Sequence, residues 1–244
     1  MKQRQGRLSI MSFLLLGLAL GCGTLRGDER STGYPATFPI VAASNFLHPP
    51  FSSQDEDGVA VGMEIDLLAE AASRLEITSE WIELPFRDLI NAVAERQVRV
   101  AASTIGITAE RSQIVQFTSP YFTTRIVALA RMGADEPKQL SDLSKRSIGT
   151  ETATTAVSAA KKHLPEAKRV TERLPDMSWA QMLEAGDIDA VVLDESHAQK
   201  FMADAGVQFH IIEEALAEEH FAFALHTADD ELLQALNSVI ARKR

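Results

Sequence analysis

From Phe38 onward the chain alternates short β-rich runs with amphipathic helical stripes, which restricts it to an α/β fold. Phe38 to Ala43 reads as a strand. Met63, Leu67, Leu68, Ala71, Ala72 and Leu75 then recur at helical spacing, with Glu64, Glu70, Ser73 and Arg74 on the outer face. Ile77 to Ile82 is the next strand, and Phe86, Leu89, Ile90, Val93 and Ala94 mark a second helical stripe opened by Pro85. Val98 to Ala102 is a third strand. This βαβαβ order predicts a parallel sheet with helices on both faces.

A second cycle follows. Ile126 to Ala130 and Ser147 to Thr150 read as strands, and a helix runs from about Thr155 to Leu164. Lys168 to Thr171 is extended, Ser178 caps a helix through Ala185, and Ala190 to Leu193 is a buried strand. Glu195 to Ala205 is helical, and Val207 to Ile212 and His220 to Leu225 are two further strands. The last helix starts at Asp229, where its acidic first turn and its Arg242-Lys243-Arg244 end complement the helix dipole.

The N-terminus carries a different signal. Lys2, Arg4 and Arg7 precede an apolar run from Ile10 to Leu20, shorter than the roughly 20 residues that span a bilayer. Residues 1–21 therefore read as a signal peptide, and the polar residues 22–37 as a tether. Ala19-Leu20-Gly21-Cys22 resembles a bacterial lipobox, which would make Cys22 an acylated N-terminus and anchor the protein to a membrane. Cleavage there removes three bases and no acids, so the net charge of −10 falls to −13. An acidic protein is unsuited to nucleic acid, whose phosphates demand basic patches. Cys22 is the lone cysteine, so no intramolecular disulfide and no Cys-rich metal site can form. His48, His163, His197, His210, His220 and His226 lack ligand spacing, so neither a metal nor a cofactor is expected.

The densest chemical signal is Ser103-Thr104-Ile105-Gly106-Ile107-Thr108-Ala109-Glu110-Arg111, just past the third strand. Two hydroxyls, an approachable backbone N–H and a guanidinium suit the grip of one small carboxylate. Ligands of open α/β sheets sit beyond the carboxyl ends of strands. Asn45 and His48 follow the first strand, Asp194 follows Ala190 to Leu193, and Thr150 to Thr155 spans a strand end and a helix start. Each has a plainer alternative: a turn for Asn45, and an N-cap for Asp194, Thr154 or Thr155.

Taken in order, these pieces resemble the family 3 bacterial extracellular solute-binding proteins, the amino-acid receptors of ABC importers. The resemblance covers Phe38 to Arg244. It rests on Pro50-Phe51, Asp57-Gly58, Val61-Gly62-Met63-Glu64-Ile65-Asp66-Leu67 and Phe86. Ile107-Thr108-Ala109-Glu110-Arg111, Phe117-Thr118-Ser119-Pro120-Tyr121-Phe122 and Asp189-Ala190-Val191-Val192-Leu193-Asp194 complete it. It implies a type II periplasmic-binding-protein-like fold, two α/β lobes joined by two crossing strands. Lobe 1 would hold residues 38–124 plus 221–244 and lobe 2 residues 125–220, with crossings near Phe122 to Arg125 and Leu216 to His220.

The resemblance also implies roles. Arg111 would bind a ligand α-carboxylate, helped by Thr104, by the backbone N–H of Gly106, and by Thr154 or Thr155 from the second lobe. Asp194 would pair with the α-ammonium, with carbonyls of Ser103 or Thr104 nearby, and His48 and Phe86 would sandwich the ligand side chain. The implied protein is a monomeric periplasmic or cell-surface receptor that serves an ABC permease. Departures from the family pattern are Asn45 in place of an acid, His48 in place of Phe or Tyr, Gly106 without a hydroxyl, and Arg99 in place of Asp. A polar or cationic amino acid is the expected ligand, with Glu151, His48 and Leu193 around its side chain. The alternatives are a sensing lobe without transport and an enzyme resembling the cyclohexadienyl dehydratases of this fold, for which Glu151, Glu195 and His197 are the candidate acids.

Overall fold

The computed structural model describes residues 39–133, 135–174, 177–205 and 209–243. The expected signal peptide and tether, with Cys22, lie outside the described residues. Those that are described belong to one compact unit, Thr32–Arg244. In chain order the elements are β1 Ile40–Ser44, β2 Leu47–His48, β3 Ser52–Gln54, β4 Ala60–Val61, α1 Met63–Arg74, β5 Ser79–Glu83 and α2 Phe86–Ala94. Next come β6 Val100–Ala101, β7 Gln116–Phe117, β8 Phe122–Arg131, β9 Ser147–Gly149, α3 Thr155–His163 and β10 Lys168–Val170. The chain continues through α4 Trp179–Ala185, β11 Ala190–Asp194, α5 Glu195–Ala205, β12 Phe209–Phe221, β13 Ala224–Leu225 and α6 Asp230–Lys243.

Two five-stranded sheets, ordered β5-β1-β6-β13-β7 and β10-β9-β11-β8-β12, form two α/β lobes. In the first, β1 runs parallel to β5 and β6, while β13 lies antiparallel to β6 and β7. In the second, β9 is parallel to β10 and β11, and β8 is antiparallel to β11 and β12. The chain crosses from β7 to β8 and returns from β12 to β13. The two crossing strands pair with each other, Thr123 opposite His220 and Thr124 opposite Glu219.

Strand alternation sends successive side chains to opposite faces, so each sheet carries two cores. Ile40, Ala42 and Val100 meet Leu68, Ala72, Leu236 and Ile240 of α1 and α6, whereas Ala43 and Ala101 meet Leu89 and Val93 of α2. In the second sheet Ile126, Ala128 and Val192 pack on Ala156 and Ala160 of α3. On its other face Val127, Leu129 and Val191 pack on Met182 and Leu183 of α4 and Ala198 of α5. The helices obey local rules: Pro85 precedes α2, and Ser178 and Gln181 form a reciprocal capping box for α4.

Two expectations are corrected, and one small sheet is added. The strands expected over Val207 to Ile212 and from His220 onward are joined in β12, which runs from Phe209 to Phe221 through an irregularity between Ile212 and Ala217. The expected His220 to Leu225 run is divided, its end forming β13 Ala224–Leu225. Pairing with β8 at both ends holds the exposed Glu213-Glu214 stretch extended, where composition alone suggests a loop. A three-stranded sheet, β2-β3-β4, was too short to register as a pattern. Glu64 does not lie on the outer face of α1: its relative exposure is 0%.

Candidate functional site

A cleft of about 280 Å³ is lined by residues of both lobes. From the first come Asn45, Leu47 and His48 after β1, Phe86 at the start of α2, Thr104 after β6, and Arg111. The second contributes Glu151, Thr154, Thr155, Trp179, Val191 to Asp194, His197 and Phe201, and β12 adds Glu219. Most stand at the carboxyl ends of strands or the N-termini of helices, the ends of an α/β layer that accept ligands.

Arg111 opens a single 3-10 turn, Arg111–Gln113, and its own N–H is bonded to Thr108 Oγ1 at 3.1 Å. Its guanidinium donates to the carbonyl of Gly106 at 2.6 Å and to the carbonyl of Ala153, in the other lobe, at 2.8 Å. Its Cζ lies 5.7 Å from the centroid of the Phe86 ring, within cation–π range. Burial lowers the pKa of Arg111, and the charges of Glu219 and Glu110 push it back up. No carboxylate among the described residues forms a salt bridge with Arg111.

Asp194 ends β11 and is 9% exposed. It accepts hydrogen bonds from the Ser196 hydroxyl and from the His197 N–H at 3.1 Å, and His197 Nδ1 lies 2.5 Å from its other oxygen. Burial alone would raise its pKa, but His197 and Ser196 outweigh it and hold Asp194 below the usual carboxylate range. Asp194 thus caps the start of α5 and also lines the cleft. His48 Nδ1 meets His197 Nε2 across the cleft, so two histidines 149 positions apart stand in contact. Burial, then the His197 charge, lowers the His48 pKa to about 3, and Asp194 opposes them; His48 is a neutral ring edge-on to Phe86.

Of the residues singled out in the sequence, Asn45, His48, Phe86, Thr104, Arg111, Thr154, Thr155 and Asp194 line the cleft. Ser103 and Gly106 stand behind it. Ser103 is fully buried and donates to Asn45 Oδ1 at 2.5 Å, and Asn45 also takes the Leu47 N–H at 3.2 Å, the turn its residue type suggested. Gly106 bridges to Phe221, and a methyl group on it would sit 2.1 Å from Glu219 Oε1, so no side chain fits there without displacement. Thr154 caps nothing with its hydroxyl, which donates to the Glu151 carbonyl at 2.6 Å.

Glu151 and His197 reach the cleft, but Glu195 does not: Arg125 holds it at 2.9 and 2.5 Å on another surface. Sequence reasoning missed Trp179, whose Nε1 donates to Glu151 Oε2 at 2.8 Å, and Glu219, whose Oε1 accepts the Thr155 hydroxyl. Burial raises the Glu219 pKa to about 7; the charge of Asp194 adds to this, while the Thr155 hydrogen bond, Arg111 and His197 oppose it. Strand alternation placed Glu219 inward, a signal hidden among the neighbouring acids Glu213, Glu214 and Glu218.

Comparison with known proteins gives this geometry a context. Residues 40–244 match the family model described as bacterial extracellular solute-binding proteins, family 3. An L-arginine-binding protein of Pseudomonas aeruginosa is 27% identical over 85% of this chain and 83% of its own length. A probable histidine-binding protein of Campylobacter jejuni is 29% identical over 77% of this chain and 72% of its own. Among solved structures, holo ArgBP from T. maritima superposes with a TM-score of 0.74 at 30% identity, covering 84% of this chain and 89% of that one.

Proposed function

Since the chain belongs to the family 3 bacterial extracellular solute-binding proteins, we propose that it captures an amino acid in the interlobe cleft for an ABC-type importer. One observation carries this reading. Arg111 is oriented by carbonyls from both lobes, with no carboxylate among the described residues in a salt bridge to it, in the same cleft as the ionised Asp194. Such a site is complementary to a zwitterion, whose carboxylate meets the guanidinium while its ammonium meets the aspartate. A ligand that touches both lobes favours the closed arrangement through differential affinity.

In this reading the hydroxyl of Thr104 and the first turn of α3, at Thr154 and Thr155, complete the carboxylate site. Phe86 and His48 flank the ligand side chain, with Glu151 and Leu193 at its far end, which favours a polar or cationic amino acid. Export directed by a signal peptide, acylation at Cys22 with anchoring to a membrane, a periplasmic or cell-surface location and a permease partner belong to the same proposal.

A thermal-shift panel of the proteinogenic amino acids and cystine tests it. One or more should raise the Tm of the soluble part, and Arg111→Ala and Asp194→Ala should each abolish the shift. Loss of a buried charge partner costs about 3 kcal/mol or more, over a hundredfold in Kd. A silent panel, or full affinity in both variants, refutes the reading. The relatives found are solute-binding proteins. Because Asp194 orients His197 as a potential acid–base group, prephenate belongs in the same screen, where turnover would favour the dehydratase reading.

A further inference from the structure

Gly106 has no side chain, and the room beside its Cα is filled by another residue. A methyl group there would lie 2.1 Å from Glu219 Oε1 and 3.1 Å from Thr155 Cγ2. The Glu219 carboxyl enters the cleft from β12, bonded to the Thr155 hydroxyl and close enough to Arg111 for their charges to interact. It thus stands inside the group of residues assigned above to carboxylate capture, although it is itself an acid. As a carboxylate it would repel an incoming carboxylate and occupy the Thr155 hydroxyl. As a carboxylic acid it would add an O–H donor to the clamp.

The surroundings decide between the two forms. Asp194 on β11 disfavours charge on Glu219, as burial does, whereas Arg111 on the 3-10 turn and His197 on α5 favour it. Tyr121, before β8, also senses Glu219 and is kept protonated by its own burial and by Glu64. On β12 the flanking Glu218 and His220 are paired with each other at 3.1 Å, and Thr124 stands opposite Glu219 on β8. With a pKa of about 7, Glu219 populates both forms near neutral pH.

We propose that Glu219 is a ligand-binding residue acting as the neutral acid: it uses the space vacated by Gly106 to donate its O–H to the carboxylate of a bound amino acid. Binding at a pH where Glu219 is ionised then takes one proton from water or buffer onto Glu219, and release returns it. The inference rests on the amino-acid reading above. Because the apparent affinity scales with the fraction in the competent form, Kd stays level below the Glu219 pKa and weakens about tenfold per pH unit above it.

Isothermal titration with L-arginine, whose side chain does not titrate in this range, tests the inference. Where arginine is silent, the panel amino acid of highest affinity replaces it. Titrations run at pH 6 in phosphate and in Bis-Tris, and at pH 8 in phosphate and in Tris, each pair differing in ionisation enthalpy. The expected result is uptake of close to one proton per molecule bound at pH 8, little at pH 6, and a Kd about tenfold weaker at pH 8. Glu219→Gln, which has no proton to gain, should abolish the uptake and flatten the profile. Glu219→Ala should weaken binding at pH 6, and Gly106→Ser added to it should recover part of the loss by placing a hydroxyl in the emptied room.

Binding without proton exchange, or uptake that persists in Glu219→Gln, overturns the inference and leaves the amino-acid reading standing. No recovery in a double variant with native circular dichroism overturns the shared-space account. A panel in which nothing binds removes the amino-acid reading and this inference together.

Discussion

Glu64 Oε1 accepts the backbone N–H of Thr104 at 2.8 Å, tying the first turn of α1 to the loop that enters the cleft. Thr104 has a φ of +50°, a left-handed conformation that costs a non-glycine residue about 1 kcal/mol. The same carboxyl takes the Tyr121 hydroxyl, so one buried acid fixes two segments at once. Glu64→Ala should lower stability in urea by about 2–4 kcal/mol by stranding a buried N–H and a buried O–H. It should also weaken amino-acid binding, although Glu64 does not line the cleft. Glu64→Gln, which keeps an acceptor, should recover most of both effects.

Arg99 binds Asp229 through two hydrogen bonds, of 2.7 and 3.0 Å, with the two side chains 8% and 1% exposed. Asp229 also takes the Leu232 N–H at 3.4 Å, so the pair secures the start of α6 against the first sheet. Arg99→Ala leaves a buried carboxylate without its bidentate partner and should cost about 3–5 kcal/mol. Chemical denaturation should show this loss, while an amino acid in excess still raises the Tm of the variant.

Glu219 links stability to pH in the opposite sense to a salt-bridged carboxylate. Its native pKa of about 7 lies above the ordinary glutamate value of 4.5, so between these values the folded chain binds more protons than the unfolded one. The ligand-free protein should therefore lose stability as pH rises from 4.5 to about 7, by at most about 1.4 kcal/mol per pH unit from this group, and level off above. Glu219→Gln should flatten that part of the Tm-versus-pH curve. An unchanged slope would place the titration elsewhere.

Trp179 reports on the cleft. Its indole is bonded to Glu151 at 2.8 Å, and its ring lies against Gly149, where an added Cβ would come within 2.6 Å of Trp179 Cε3. Amino-acid binding should change the tryptophan emission, and Trp179→Phe should remove the change while Trp81 keeps its signal. Gly149→Ala should cost about 1–3 kcal/mol of stability, because the ring has to move off its seat.

The helices were legible because their signals are local. Ser178 with Gln181 marks the start of α4, Pro85 that of α2, and the spacing of Leu67, Leu68, Ala71 and Ala72 defines the buried face of α1. The cleft was legible where strand ends and the loops that follow them carry unusual polar residues, as at Thr104, Asp194 and, in the loop after β6, Arg111. Glu64 was misplaced because a helical repeat ranks glutamate as solvated, and the partners that allow its burial lie 40 and 57 positions away. Glu219 hid for a related reason: two acids in succession look like exposed surface until β8 fixes which of them turns inward. The meeting of His48 with His197 follows from tertiary structure alone.

The segment around Gly106 is stitched to the end of β12: Ile107 N–H donates to the His220 carbonyl at 3.0 Å, and Ala222 N–H to the Ile105 carbonyl at 3.0 Å. For protein engineering this makes residues 103–111 a poor module by themselves. A graft of that loop into another receptor would bring its guanidinium but leave behind the strand that sets its height above the cleft floor. Residues 219–222 have to travel with it, so altered ligand preference in this scaffold has to be designed as a two-segment exchange.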